Sequence, residues 1–252
     1  MKVFASFCCM LRVIVAPAHA DESDPMAVRI AEQQKVADRH AFDFRRDPAR
    51  RPYEVFQLMG LEEGMVALDV GAYAGYTTEM LSAAVGPTGR VYAHNTEEVL
   101  RTYADGYYDR TMAERLGNNR LPNVELYLRE YDDLGLDGEV DFAFLGNLLH
   151  DFWYRDGEEN ALAFLASIHS ALKPGGVLAV MDHVGIDSED NKALHRMTPE
   201  LARDLLIRSG FEIDAESDLF ANPYDDHKLM VYNDEIYLKT DRFLFRASKP
   251  AN

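Results

Sequence analysis

The sequence VALDVGAYAGYTTE at residues 66–79 is the strongest indication of how this chain folds. An apolar run leads to Asp69, a loop with Gly71 and Gly75 follows, and a segment compatible with a helix comes next. A buried strand, a tight turn and a helix N-terminus that faces a ligand are the opening of an α/β nucleotide-binding unit. The middle of the loop, where a third glycine is expected, holds Tyr73. The stretch therefore predicts a nucleotide-binding turn with one bulky side chain in it.

Strands and helices alternate on the C-terminal side of this turn, which is typical of a parallel sheet covered by helices. The last two strands have no helix between them and are expected to pair as an antiparallel hairpin at the sheet edge. The sequence therefore predicts an α/β fold with a Rossmann-like, seven-stranded, mostly parallel sheet, helices on both faces and a C-terminal antiparallel hairpin. The predicted strands are 65–70, 90–94, 123–130, 140–145, 177–182, 211–219 and 241–247.

Local signals place the helices between these strands. One helix is expected at 76–85 and another within 96–119. Asp156 and Glu159 have the spacing of a capping box at the start of a third helix. A fourth helix is expected to begin at Thr198-Pro199 and to end at Gly210.

The segment before the nucleotide-binding turn has a different organisation. Residues 26–42 show a loose helical period, and residues 53–59 indicate a short helix. Between them, two prolines are expected to break the chain within a group of arginines that would pair with nearby carboxylates. We therefore assign residues 21–60 to an N-terminal helical extension and residues 61–252 to one domain. The prolines are Pro48 and Pro52, and the arginines are Arg45, Arg46, Arg50 and Arg51.

Residues 1–20 have the pattern of a secretory signal peptide. A positive start at Lys2 precedes a mostly apolar stretch, and Ala18-His19-Ala20 forms a small-x-small site. Cleavage after Ala20 would remove both cysteines, Cys8 and Cys9, and with them any disulfide or cysteine–zinc site. The leader predicts a periplasmic or secreted protein, and a cytoplasmic one if the leader is not functional.

Composition restricts the kinds of partner. The 252 residues carry a formal net charge of −17, with 47% hydrophobic residues. A globular domain is expected from that hydrophobic content, while the acidic balance disfavours nucleic acid and anionic membrane surfaces. Beyond the leader, no apolar run approaches the ~20 residues that span a bilayer. A small-molecule substrate is the expected partner.

Polar residues follow five of the predicted strands, at the points where the strands end. Ligands of such sheets bind in the crevice outside the carboxyl ends of the strands. We therefore expect these residues to line a single crevice. They are Asp69, Gly71, Tyr73, Gly75, His94, Asn95, Glu130, Gly146, Asn147, His150, Asp151, Asp182 and His183.

Four pieces of the chain carry a family resemblance: ALDVGAYAGY at 67–76, GRVYA at 89–93, NLLHD at 147–151 and LKPGGVL at 172–178. With them, the segment from about 53 to 248 resembles class I S-adenosylmethionine-dependent methyltransferases. Asp182-His183, Leu194-His195-Arg196 and AESDL at 215–219 resemble a group of predicted exported bacterial methyltransferases. The resemblance implies S-adenosylmethionine as the cofactor.

The resemblance also implies a role for individual residues. Gly71 and Gly75 would let the backbone approach the methionine part of the cofactor, and Asp69 would organise their loop. Asn95 stands where the family usually has an acidic residue for the ribose hydroxyls, so its hydrogen bonds would lack charge assistance. Glu130 would meet the adenine amine.

Two further positions concern the methionine end of that pocket. The resemblance places Asn147 beside the methionine group. Tyr73 either blocks the methionine pocket or lays its ring over the loop and leaves the pocket open.

Methyl transfer to oxygen needs a base, and histidine titrates near neutral pH. His150 is the first choice and His183 the second, with Asp151 or Asp182 as the orienting carboxylate. A metal site from these four residues is conceivable, but no paired spacing such as His-x-x-x-His supports one, and none is predicted.

Three functions are compatible with these patterns. The first is methyl transfer from S-adenosylmethionine to a small molecule, at oxygen. The second is an exported, non-catalytic binding protein of the same fold. The third is a nicotinamide-dependent oxidoreductase, which ranks last because the Gly71–Gly75 loop does not fit G-x-G-x-x-G.

Overall fold

A computed structural model describes residues 23–251, in which seven strands form a single sheet. Along the sheet the strands lie in the order β3-β2-β1-β4-β5-β7-β6. Strands β1 to β5 are parallel, and β7 runs antiparallel to both β5 and β6. The predicted Rossmann-like sheet with an antiparallel C-terminal hairpin is confirmed. The strands are β1 (Val66–Val70), β2 (Arg90–Asn95), β3 (Val124–Leu128), β4 (Val140–Gly146), β5 (Leu172–His183), β6 (Glu212–Ser217) and β7 (Arg242–Ser248).

Ten α-helices accompany the sheet in the described part of the chain. The short α7 continues into one π-helical segment, Phe152–Asp156. The helices are α1 (Pro25–Gln34), α2 (Asp43–Arg50), α3 (Pro52–Met59), α4 (Tyr76–Val85), α5 (Glu97–Thr102), α6 (Tyr107–Leu116), α7 (Leu149–Asp151), α8 (Glu158–Ala171), α9 (Asn191–Leu194) and α10 (Pro199–Arg208).

The central strands are apolar because both of their faces are covered. On one face a core forms around Leu145, with Phe164 of α8 and Leu206 of α10. On the other face Phe142 packs with Phe56 of α3 in a second core. The two cores hold the carboxyl ends of β1, β2, β4 and β5 at one edge of the molecule.

One helix prediction needs correction and two are confirmed. Residues 96–119 are helical as predicted and form α5 and α6, with a 3₁₀ segment that ends at the left-handed Gly106 between them. The helix α8 starts after Gly157 with no side-chain cap, so the predicted capping box at Asp156 does not form. In contrast, the Leu201 amide donates to Thr198 Oγ1 at 3.3 Å, as expected for the start of α10.

The N-terminal segment is more helical than the sequence indicated. Pro48 lies inside α2, although a proline removes one helical hydrogen bond. Asp43 of this helix is fully buried and pairs with Arg115 at 2.9 Å, which holds α2 in place. Two of the clustered arginines find carboxylates as predicted: Arg46 pairs with Asp43 at 3.5 Å and Arg51 with Glu54 at 3.1 Å.

The predicted leader, residues 1–20, lies outside the described residues. Within residues 23–251, no helix has both the length and the apolar character that are needed to cross a bilayer.

Candidate cofactor and active site

The turn after β1 has the backbone geometry that its glycines allow. Gly71 and Gly75 have φ values of +67° and +78°, in the left-handed region. A Cβ on Gly71 would lie 2.6 Å from Leu148 Cδ2, so a larger residue there would require the Leu148 side chain to move. Tyr73 also has a positive φ, +49°, which is strained for a tyrosine. The turn is therefore built for close approach of the backbone at Gly71, with strain at its middle residue.

Asp69 fastens this turn to the helix that follows it. Its buried carboxylate accepts a hydrogen bond from Thr78 Oγ1 of α4 at 2.6 Å. Burial raises the pKa of Asp69 to about 6, against the opposing effect of the Thr78 hydrogen bonds. This geometry agrees with a role in organising the loop.

The Asn95 side chain is fully buried, and both of its polar atoms face the main chain of Tyr73. The Tyr73 amide donates to Asn95 Oδ1 at 2.8 Å, and Asn95 Nδ2 donates to the Tyr73 carbonyl at 3.5 Å. Asn95 therefore supports the left-handed conformation at Tyr73. Its contact with ribose hydroxyls stays a prediction.

The ring of Tyr73 lies across the loop. Its Cε2 atom is 3.7 Å from the position of a Cβ on Gly71, and its ring centroid is 5.1 Å from that of Tyr108. Burial raises the pKa of Tyr73, and the neighbouring Tyr131 and Asp151 raise it further. The ring thus covers the part of the loop that the resemblance assigns to the methionine group.

One buried group near the loop has unused hydrogen-bonding capacity. Asn147 Oδ1 is buried and has no hydrogen-bond partner among residues 23–251. Asn147 also has a positive φ of +54°. Glu130 follows β3 and is exposed. Unsatisfied buried oxygens are costly, so they mark places where a polar ligand can bind.

His150 and Asp182 form a buried pair at the carboxyl ends of β4 and β5. His150 Nδ1 lies 2.8 Å from Asp182 Oδ1 and 3.1 Å from Oδ2, and the His150 amide donates to Oδ2 at 3.0 Å. Because an ionised carboxylate only accepts, the proton is on Nδ1 and the lone pair of neutral His150 is on Nε2. Burial lowers the pKa of His150, but the Asp182 carboxylate outweighs it and the net shift is upward.

Two other groups lie beside His150 Nε2. Asp151 Oδ1 is 3.4 Å from it, and His195 Nδ1 is also 3.4 Å from it. His195 Nδ1 and Asp151 Oδ1 are 3.5 Å apart. The ring of Tyr232 lies 5.4 Å from that of His195. Asp151 and His195 are partly exposed, so this triangle of atoms opens toward solvent.

The His183 ring contacts Thr240 rather than the atoms around His150 Nε2. Its Nδ1 lies 2.8 Å from Thr240 Oγ1, and its ring centroid is 6.4 Å from that of His150. Burial lowers the pKa of His183 to about 3, against the opposing effect of Asp182, so the ring is neutral. Its catalytic role stays a prediction.

The sequence indicated the main polar residues of the site but not the partner of His150 on its Nε2 side. His195 appeared only within a stretch of family resemblance, and no spacing connects it with His150, 45 positions earlier. It follows α9 with a φ of +54°, a conformation rare for a residue with a side chain. Strained backbone of this kind is enriched at functional sites, and only the structure reveals it.

Comparison with known proteins agrees with this architecture. Residues 68–180 match a family model described as a methyltransferase domain. A SAM-dependent methyltransferase from Aquifex aeolicus has the same fold at 23% identity and a TM-score of 0.60, covering 87% of this chain and 97% of its own. A search of curated proteins found no sequence match.

Two further solved structures show the range of activities on this fold. The SAM-dependent O-methyltransferase from Thermotoga maritima is similar at 17% identity and a TM-score of 0.51, covering 81% of this chain and 66% of its own. The [4+2]-cyclase SpnF is similar at 18% identity and a TM-score of 0.60, covering 81% of both chains. This chain therefore has the Rossmann-like methyltransferase fold and contains a methyltransferase domain match; at these identities the structures establish the fold alone.

Proposed function

We propose that this protein transfers a methyl group from S-adenosylmethionine to an oxygen of a small-molecule acceptor, with His150 as the general base. The His150–Asp182 pair carries the proposal. It leaves Nε2 without the ring proton and beside the partly exposed Asp151 and His195. A histidine oriented by a carboxylate in this way is suited to accept a proton.

The methyltransferase domain match and the SAM-dependent methyltransferases of the same fold support S-adenosylmethionine as the cofactor. The residues present fit it. Gly71 provides close backbone approach, the unpaired Asn147 Oδ1 could accept from the methionine amine, and Glu130 is free to accept from the adenine amine.

Methyl transfer to oxygen needs only one catalytic side chain, a base. As the acceptor oxygen bonds to the methyl carbon, the carbon–sulfur bond breaks and its electron pair goes to sulfur. The acceptor proton goes to His150 Nε2, while Asp182 stabilises the imidazolium that forms. Alignment of acceptor and methyl donor supplies the remaining rate enhancement.

A non-catalytic binding protein on the same fold is the second candidate, since the Tyr73 ring lies over the loop. The pattern of the first twenty residues further leads us to propose that the protein is exported.

The test combines binding and turnover. We expect S-adenosylmethionine or S-adenosylhomocysteine to raise the melting temperature, because a ligand of the folded state stabilises it. With a panel of phenols and carboxylic acids, His150→Ala should lower S-adenosylhomocysteine formation about 100-fold or more while the melting shift is retained.

His169→Gln is the matched control, since this histidine lies away from the cluster, against Phe211. A melting temperature that does not change at millimolar cofactor would favour the non-catalytic candidate. Unaltered turnover in His150→Ala would remove His150 from the mechanism.

A further inference from the structure

Three potential metal ligands meet at one point beside the crevice. They are His150 Nε2, Asp151 Oδ1 and His195 Nδ1, and their mutual distances are 3.4, 3.4 and 3.5 Å. The three atoms thus form a nearly equilateral triangle. From this geometry we infer that the cluster is a binding site for one divalent zinc ion, a property beyond the proposed methyl transfer.

The edge lengths are compatible with a single metal ion bound by all three atoms. N–H···O hydrogen bonds are about 2.7–3.2 Å long, so edges of 3.4 and 3.5 Å are long for direct hydrogen bonds. Zinc bonds of about 2.1 Å at tetrahedral angles place ligand atoms about 3.4 Å apart. Octahedral coordination with right angles would need edges of about 3.0 Å. The triangle therefore matches three corners of a zinc tetrahedron.

The orientation of His150 is set by a group outside the triangle. Asp182 is fully buried and holds the proton on His150 Nδ1, which leaves Nε2 beside Asp151 and His195 as a metal-binding atom. A carboxylate behind a ligating histidine is the usual outer support of a zinc ligand.

The ligand types and the exposure are those of a reactive site. Two imidazoles and one carboxylate suit zinc, and three protein ligands leave the fourth position open. Asp151 and His195 are 30% and 39% exposed at their side chains, so a small molecule can reach that position.

Zinc would use the same Nε2 lone pair that the proposed function assigns to the acceptor proton. His150 therefore acts as the base of the proposed function only in the metal-free protein, and in the zinc-bound protein it is a ligand. A hydroxyl at the open position of the ion would lose its proton more readily than in water. Cofactor binding does not depend on this choice.

The experiment uses the untagged chain that begins at residue 21. This chain lacks Cys8 and Cys9, so no cysteine competes for the metal ion. After chelator treatment, we expect calorimetry to show one equivalent of Zn²⁺ bound and no binding of Mg²⁺. Co²⁺ should give the intense visible absorption of a tetrahedral site. His195→Asn and Asp151→Asn should each weaken Zn²⁺ binding at least tenfold, and Asp182→Asn about 10- to 100-fold.

Asn is chosen at position 195 because it tolerates the positive φ found there. His227→Gln is the control, since it disrupts another histidine–carboxylate pair, with Asp241 at 2.9 Å, and should leave Zn²⁺ affinity unchanged. Absence of stoichiometric Zn²⁺ binding, or equal affinity in His195→Asn, would overturn the inference. The melting shift with S-adenosylmethionine on the chelated protein reports the proposed function separately.

Discussion

Single residues determine the conformation of the glycine loop after β1. Tyr73 occupies a left-handed position that glycine adopts without strain, and its backbone is held there by Asn95. His94 accepts from the Gly71 amide through Nδ1 at 3.4 Å and donates from Nε2 to the Arg129 carbonyl at 3.0 Å. His94 and Asn95, at the end of β2, therefore both hold the backbone of the glycine loop.

Replacing Tyr73 tests whether its ring must be displaced by the cofactor. We expect Tyr73→Gly to tighten S-adenosylmethionine binding about tenfold, equivalent to ~1.4 kcal/mol, because the ring leaves the space over Gly71. Calorimetric titration measures the change.

Tyr73→Phe keeps the ring and should bind like the wild type. If Tyr73→Gly binds no more tightly than Tyr73→Phe, the ring does not obstruct the pocket.

His94 makes stability depend on pH. Burial lowers its folded pKa to about 4, below the ordinary value of 6.5. The unfolded chain therefore takes up a proton first, so the contribution of His94 is present above pH 6.5 and is lost as the pH falls toward 4. The loss is at most about 3 kcal/mol.

The measurement compares the wild type with His94→Asn by urea unfolding at several pH values. The stability advantage of the wild type should shrink between pH 7 and pH 4. A constant difference across this range would show that His94 does not titrate as described.

At the scale of elements, buried ion pairs join the N-terminal helices to the nucleotide-binding unit. Glu79 of α4 is fully buried and contacts Arg115 of α6, which also donates from Nε to the carbonyl of Ala74 in the glycine loop at 2.9 Å. Arg120 approaches the same carboxylate with two nitrogens, at 2.7 and 2.8 Å. The cluster connects α2, α4 and α6 with the loop.

Removing the central charge of this cluster should be costly. Glu79→Gln leaves buried arginines without their shared carboxylate, and we expect the free energy of unfolding to fall by about 3 kcal/mol. Urea denaturation measures the loss.

Glu97→Gln provides the control, because Glu97 and Arg101 form an exposed pair at 3.1 Å. Its effect should be about 0.5 kcal/mol or less. Similar losses in the two variants would mean that the buried cluster does not stabilise the contact between these helices.

At the scale of the whole molecule, strand order explains the position of the site. In the order β3-β2-β1-β4-β5-β7-β6, the strands β1 and β4 are neighbours, and so are β4 and β5. The loop after β1 therefore lies beside the segment after β4 that holds Asn147 and His150, and that segment in turn lies beside Asp182 near the end of β5. Residues from distant parts of the chain therefore lie together at the carboxyl ends of these strands.

Export is a property of the whole chain and is tested on it. We expect the protein expressed in a bacterium with its own leader to be recovered from the periplasm or medium, beginning at Asp21. Intact mass measurement of the recovered chain checks this. A mass that still includes residues 1–20 would contradict the predicted cleavage.

Local sequence patterns predicted most of the strands, helices and turns of this protein. The contacts between residues that are distant in the sequence were known only from the structure. The alternation of strands and helices, the turn at Gly71 and Gly75 and the final hairpin were predicted because apolar periodicity and turn chemistry act over a few residues. The partners of polar side chains depend on the path of distant segments. The meeting of His195 with His150, and of Asn95 with the backbone of Tyr73, was therefore decided by the tertiary structure alone.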